Sequence, residues 1–565
     1  MVHQASEPGF VSDPLEGLRS ALFTSRLYRF FLAREVPDNL LQSLNDPWPG
    51  DAGRGRAISE GHWKLANQTF VFDHRLGPPE WYPPGAWNGW LEELHGFTWL
   101  RDLQEAGGHA RQIAQTALAG WMSDCGSWNR FAWRPDILGR RLASWLTHHG
   151  FLIGDADPRV RQQFFRSLTE QTRHLARVAM RGPSGLGRIA VLRALIFAGI
   201  TLPGSARRMP QVMRLLKQEL DHQMLPDGGQ RERNPSVQYL LLRDLVDIRL
   251  ALIQGRHPVP GWLQQTIDRA APMLRFYRHG DGGLALFNGS REESSHLIDN
   301  VLAIGQATGR PLRRTPYTGF ERLEAGSTVV LVDAAWPPAA EWTTRAHAAP
   351  LAFEMSYGRE RLIVSMGSWH GPDSDWQQAA RETAAHSTMT VDDRSLAEFR
   401  KDGLLGRGPR DVEVERREQQ GNATLVMSHD GYHSPFRLIH HRTLALAADG
   451  HVLKGEDVLD GPGGERFSLR FHLHPDVRAA VVHDSQSVLL SPKSGKGWRL
   501  SVRGGVLDLV GSVYLGSGSM RTSQQVVVSR GLNGVRNVVT WELERIESRP
   551  RRKRKRSHGE ELALV

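Results

Sequence analysis

Apolar residues along the first half of the chain recur every three to four positions, the spacing that gathers them on one face of an α-helix. Ile113, Ala117, Leu118 and Trp121 form one stripe, Leu138, Leu142, Trp145 and Leu146 a second, and Phe164, Phe165, Leu168, Leu175 and Val178 a third. Others run through Ile189, Leu192, Leu195 and Ile196, through Val212, Leu215 and Leu216, and through Leu241, Leu245, Ile248 and Leu252. Breakers rich in Pro and Gly separate them at 155–158, 182–187, 203–204, 226–229 and 255–260. The pattern predicts successive antiparallel helix pairs from about residue 99 to 274. No pair can bury its inner face alone, so the pairs must stack into a solenoid or close into a toroid.

After about Gly326 the period falls to two, with β-branched residues and glycine turns. Strands are predicted at 329–332, at 351–355 paired with 361–366, and at 442–446 paired with 451–456 across Asp449 and Gly450. More follow at 467–473, 498–502, 506–514, 525–529 and 537–543. Without crossover helices a parallel sheet is excluded, and a large antiparallel sandwich is expected. The fold class is therefore α+β and multidomain. We divide the chain into an N-terminal extension with the first helices (1–98), a helical domain (99–314), an antiparallel β-sandwich (315–547) and a basic tail (548–565).

Composition adds limits. At 565 residues the chain can build two or three domains with ample cores. Cys125 is its only cysteine, which excludes an intramolecular disulfide and a thiolate metal cage. Residues 1–14 lack the basic start and apolar core of a secretory signal, and no apolar run is long enough to span a bilayer, so a cytoplasmic protein is expected, with the cell envelope or periplasm as the alternative. The tail, with Arg549, Arg551, Arg552, Lys553, Arg554, Lys555 and Arg556 against Glu560 and Glu561, carries half of the formal charge of +10. Such a run predicts a solvated, disordered tail, with contact to nucleic acid or another anionic surface as the alternative. A mildly basic body suits an acidic glycan. Tryptophans, among them Trp81, Trp87, Trp90, Trp99, Trp121, Trp128, Trp133 and Trp145, crowd the first quarter, either as core or, for a subset, as stacking faces for sugar rings.

Several segments, in order, resemble the heparinase II/III superfamily: WLRDL at 99–103 with WRPD at 133–136, DGGQRERNP at 227–235 with LRDL at 242–245, and GDGGLALFNG at 280–289. They continue with AHAAPLAFE at 346–354, RLIV at 361–364 and TAAHST at 383–388. The resemblance implies a bacterial (α/α) toroid joined to a β-sandwich, with a cleft between them in which a uronic-acid polysaccharide is cleaved by β-elimination. That reaction needs a group to neutralise the C5 carboxylate, a base for the C5 proton and an acid for the departing C4 oxygen. By the resemblance these are a toroid Asn or His, a toroid Tyr and a His of the first sandwich strands. A nearby His/Asp/His set often holds zinc.

The matched positions depart from this pattern. Val237 stands where the Tyr is expected, and Tyr239, two residues on, is expected to face elsewhere on its helix. Residues 180–187 contain neither Asn nor His. Arg345 replaces the catalytic His of the sandwich motif, and Ser365 replaces the zinc-binding Asp. His347 and His386 remain, as two metal ligands or as a buried structural pair, with His370 or Asp373 as substitutes for the missing carboxylate. The candidate catalytic residues are His347, Asn234 and Tyr432, the last in an HDGY segment at 429–432 that also resembles the family. Asn234 is alternatively a helix cap before Pro235. Arg231, Arg233 and Arg345 are the candidate uronate-binding residues, and His347 and His386 the candidate zinc ligands. The asparagine–glycine pair at 288–289 reads as turn chemistry. The implied function is a lyase-like protein with altered catalytic residues; the alternative is a non-catalytic protein that binds an acidic glycan or assembles the cell envelope.

Overall fold

In the computed structural model, which describes residues 16–336, 340–482 and 486–546, the chain is helical as far as Ile304, apart from a small hairpin of His62–Leu65 and Gln68–Val71. The tail expected to be disordered lies outside the described residues. Each predicted stripe falls on a helix: Ala110–Asp124, Pro135–Thr147, Pro158–Val178, Leu186–Thr201, Met209–Gln223 and Pro235–Gln254. Leu186–Thr201 is apolar almost all round, as a helix enclosed by others must be. It packs against Pro135–Thr147 on one side and Pro235–Gln254 and Met209–Gln223 on the others.

Helix starts follow from local chemistry. Asp157 caps Pro158–Val178 by accepting the amide of Arg159, and Asn234 caps Pro235–Gln254 by accepting those of Ser236 and Val237; a proline then begins each helix, where its missing N–H is not needed. Trp81, Trp90, Trp99, Trp121, Trp133 and Trp145 are buried in the helical core, and Trp87 and Trp128 pack half-buried against it.

The C-terminal half is a sandwich of two antiparallel sheets. Eight strands run from Arg478–Val481 at one edge, through Trp498–Arg503, Arg536–Arg545 and Val452–Asp460, to Val412–Gln419 at the other. Nine make the second sheet, from Val506–Tyr514 through Arg521–Gly531, Arg466–Leu473, Glu360–Val364 and Phe353–Tyr357 to Arg314–Thr315. Between them Phe353, Leu469, Leu500, Val526 and Trp541 form a second core, separate from the helical one.

Polar groups close the seam between the halves. Asp227, before the helix Pro235–Gln254, accepts the amides of Tyr317 and Thr318 at 2.9 and 2.7 Å. Arg322 donates to the carbonyls of Phe276 and Arg278, and buried His279 meets Glu354 at 3.0 Å. Gly280 lies so close to the carbonyl of Gly358 that a Cβ would have no room, which explains a glycine there.

Candidate functional site

A cleft of about 1380 Å³ opens on the helical half, with Glu341, Trp342, Thr344 and Arg345 of the sandwich half on its rim. Its walls come from residues 44–54 of the N-terminal extension and from the helices Pro135–Thr147, Leu186–Thr201 and Pro235–Gln254. Tyr239, Arg243, Asp247 and Ala251 recur every four residues on the last of these, so one helical face is presented to the cleft. Both Val237 and Tyr239 line it. Tyr239 therefore does not face elsewhere, as its angular offset from Val237 predicted: the cleft is wide enough to take in both directions.

The electrostatics are those of interlocked ion pairs. Ten carboxylates and seven arginines line the cleft, with no lysine. Six of the arginines are held by cleft carboxylates. Arg54 pairs with Glu93 and Asp102, Arg101 with Asp46, Arg134 with Glu92 and Asp136, and Arg140 more loosely with the same two acids. Arg193 bridges Asp244 and Asp247 at 2.7 and 2.8 Å, and Arg243 sits 3.8 Å from Asp244. Asp247 also accepts the indole N–H of Trp48 at 2.6 Å, and burial pushes its carboxyl up to about 6 in spite of Arg193. Burial likewise raises Glu232, opposed by the charge of Arg345. Burial raises the Tyr239 phenol as well, with Arg243 pulling the other way. Arg345 is exposed and, among the described residues, has no hydrogen bond or ion pair.

The other residues singled out in the sequence lie elsewhere. Arg233, in a left-handed backbone conformation, is buried at the seam. It pairs with Asp333, donates to the carbonyls of Thr318, Gly319 and Ala335, and lies over the ring of Phe320 at 4.6 Å. Asn234 uses its oxygen to cap the helix and its amide to donate to the Asn288 carbonyl at 2.7 Å, and it is buried at the seam rather than lining the cleft. Arg231 donates to the His222 carbonyl and does not line the cleft. Tyr432 is in the sandwich core with its hydroxyl donated to the Met389 carbonyl, and burial raises its ionisation, so it is no acid or base for the cleft. The hub of the seam is Asn288, which also stands in a turn. Its side chain accepts the amide of His347 and donates to the Arg233 carbonyl and to Asp333, and its backbone has a φ of 51°. Asn288 thus ties Arg233, Asn234 and the backbone of His347 together at the seam.

His347 and His386 are buried with ring centroids 4.9 Å apart. None of their four ring nitrogens has a hydrogen-bond partner, nor does the hydroxyl of Ser365. Burial holds His347 well below the ordinary histidine range and brings His386 down to about 3, so both are neutral. Neutral imidazoles are what a metal requires, but zinc takes four ligands, or three with one open position. Among the described residues no group of three or more His, Cys, Asp and Glu is placed to hold an ion. His370 meets the Gly289 carbonyl through Nε2 at 3.1 Å and Asp373 caps the helix Ser374–Ala379 through one oxygen, and neither is placed with the two histidines as a third ligand. The donor set is therefore too short for a resident zinc.

Comparison with known proteins agrees with this architecture. A model of the heparinase II/III-like C-terminal region matches residues 307–542, and FtsZ-localized protein C of Caulobacter vibrioides is 31% identical over 546 residues, 93% of each chain. The chain belongs to the heparinase II/III-like family. Among solved members of this fold, heparinase III superposes with a TM-score of 0.71 at 14% identity, over 92% of this chain and 89% of that one. A mutant of heparan sulfate lyase HepC from Pedobacter heparinus gives 0.60 at 15% identity, over 94% and 88%. The heparinase II/III-like fold thus extends through both halves, although the family model covers only the second.

Proposed function

We propose that this member of the heparinase II/III-like family works by binding and assembly, not by β-elimination, and that it acts at the bacterial division site together with FtsZ. What carries the first part is the state of the cleft. Six of its seven arginines are already neutralised by cleft carboxylates, and acids outnumber bases ten to seven. A polyuronate entering it would meet net repulsion and, at Arg345 alone, an unpaired guanidinium. The second part is supported by the name of the relative that is 31% identical over nearly the whole chain, an FtsZ-localized protein.

Imaging a fluorescent fusion beside labelled FtsZ in the native cell tests the second part: the fusion should form the same band and lose it when FtsZ is depleted. A uniform distribution would sink the division-site reading. Ultraviolet absorbance of the unsaturated uronate tests the first, with heparan sulfate, heparosan, hyaluronan, chondroitin and alginate as substrates. No turnover is expected on any of them.

One observation favours a second reading, in which β-elimination persists with a displaced base. Tyr239 lines the cleft beside Arg243, whose charge would stabilise a phenolate, while Glu232 and Arg345 face each other across the rim. If any glycan is cleaved, Tyr239→Phe must abolish the product. Turnover that survives this change would place the base elsewhere.

A further inference from the structure

Two arginines beside the seam have no counter-charge. Arg291 follows the turn at Asn288 and Gly289, and Arg345 packs on that turn from the sandwich half: a Cβ on Gly289 would stand 3.2 Å from the Cβ of Arg345. The charge of Arg345 bears on Arg291, so the two guanidiniums are neighbours. Arg345 is exposed on the cleft rim, whereas Arg291 is half-buried and does not line the cleft. Among the described residues neither guanidinium has an ion pair or a hydrogen bond, and the Nε of Arg291 is buried without a partner.

The groups around them are engaged elsewhere. Glu293 and Glu93 are the acids whose charge reaches Arg291, but Glu293 accepts the hydroxyl of Ser236 and Glu93 pairs with Arg54. Glu232 senses Arg345 without forming an ion pair with it. Burial, with the charges of Arg291 and Arg345, brings His370 down to about 3; the neutral ring meets the Gly289 carbonyl through Nε2 at 3.1 Å and cannot cancel either charge. The backbone beneath is fixed. The amide of Arg291 donates to Ser236 Oγ at 3.0 Å, that of Glu292 to the Gly516 carbonyl at 3.0 Å, and Asn67 holds the His370 carbonyl at 3.0 Å.

A desolvated guanidinium without an acceptor is costly, and a second one beside it adds repulsion. An anion seated between the two forks removes both penalties, and an orphaned buried donor is where such an ion belongs. A carboxylate would cancel only one of the two charges. A phosphate monoester, with a charge of about −2 near neutral pH, cancels both and presents oxygens to both forks. The exposed side, at Arg345, leaves room for whatever the phosphate is attached to. We infer that Arg291 and Arg345 hold a phosphate-type dianion, either free phosphate or the end of a phosphate monoester. The inference does not depend on the function proposed for the cleft.

Isothermal titration of the full chain at constant ionic strength tests it. Inorganic phosphate should bind with one ion per chain, and acetate and glucuronate, each with a single charge, at least about tenfold more weakly. Arg291→Gln and Arg345→Gln should each weaken phosphate at least about tenfold, and Arg345→Lys less, because it keeps the charge but not the fork. Thermal melts give an independent readout. Phosphate should raise the melting temperature of the wild-type chain and not that of Arg291→Gln. Without phosphate that variant should melt no lower than wild type, since it removes an unpaired charge. Phosphoserine and glucose 1-phosphate separate the sources: tighter binding of either than of phosphate identifies an ester, and weaker binding of both identifies the free ion. Three results would overturn the inference. Wild type shows neither heat nor a thermal shift with phosphate; glucuronate binds as tightly as phosphate, which makes the pair a carboxylate site; or either glutamine variant binds phosphate like wild type, which leaves the arginines no part in it.

Discussion

Arg233 and Arg345 stand on the two sides of the same seam, and their guanidiniums are in opposite states. Arg233 is buried with a carboxylate, three carbonyls and an aromatic ring, whereas Arg345 is exposed on the cleft rim with no partner among the described residues. The same contrast holds for the regions they belong to. At the seam, Asp227, Arg233, Asn234, Asn288 and Asp333 are engaged in joining helices to sandwich. In the cleft, charge is abundant but mutually cancelled, and only the rim offers an unengaged cation. Segments that resemble the family can therefore serve the joint between two domains, while the arginines of the neighbouring cleft are spent on its own carboxylates.

The sharpest way to break this comparison is at Asp333. Asp333→Ala would leave the Arg233 guanidinium buried without its counter-charge, which costs about 3–5 kcal/mol. Thermal and urea melts should show that loss, together with faster proteolysis between residues 304 and 320 as the seam loosens. A loss under about 1 kcal/mol would mean that the three carbonyls suffice and that Asp333 is not the clasp.

Acid should act next, through the histidines packed around the seam. Burial holds His386 and His370 down to about 3, and His347 well below its ordinary range. A histidine whose folded pKa is depressed contributes stability that is complete above its unfolded value of about 6.5 and is lost as pH falls towards the folded value. At pH 5 the loss is about 2 kcal/mol for each of His386 and His370. The melting temperature should fall between pH 7 and 5, and His386→Leu should flatten that fall. An unchanged slope in the variant would show that His386 is not kept neutral by its surroundings. The same variant bears on zinc: if the ion raises the melting temperature of the wild-type chain but not of His386→Leu, the two-histidine set binds it despite its short donor list.

A smaller effect is expected at Asn234. Asn234→Ala removes a helix cap and strips the Asn288 carbonyl of its donor, together about 1–2 kcal/mol. Asn234→Asp retains the cap but not the donor, so its melting temperature should fall between those of wild type and Asn234→Ala. Equal melting temperatures for both variants would show that the cap contributes nothing.

How much of this could be read in advance depended on whether a property is local. Helix stripes and alternating strands are local, and all of those predicted recur in the structure. The strand Val412–Gln419 is a sheet edge whose alternation is confined to Val412 and Val414 before a run of charged residues, too short a signal to predict it. Asn288 looked like half of a turn and is one, yet its side chain also joins three partners distant in sequence. The cleft was hidden for the same reason. Asp46, Glu92, Asp136 and Asp247 lie far apart along the chain, and only their convergence reveals that the arginines are already paired. The one local signal was the four-residue spacing of Tyr239, Arg243 and Asp247, which marks a polar stripe on a helix otherwise given to the core.

The mildest substitution is also the one that most directly probes the rim. Arg345 is exposed, so Arg345→Ala should change stability by no more than about 0.5 kcal/mol. Its consequence should appear instead at Glu232. Burial raises that carboxyl, and the charge of Arg345 opposes the rise, so removing the guanidinium must raise it further. Carboxyl titration by NMR with glutamate labelled at Cδ would register the shift, and Arg345→Lys should leave most of the original value in place. If the Glu232 titration is the same in wild type and Arg345→Ala, the two groups do not sense each other across the rim. The last unpaired cation of the cleft would then be facing solvent rather than its acidic wall.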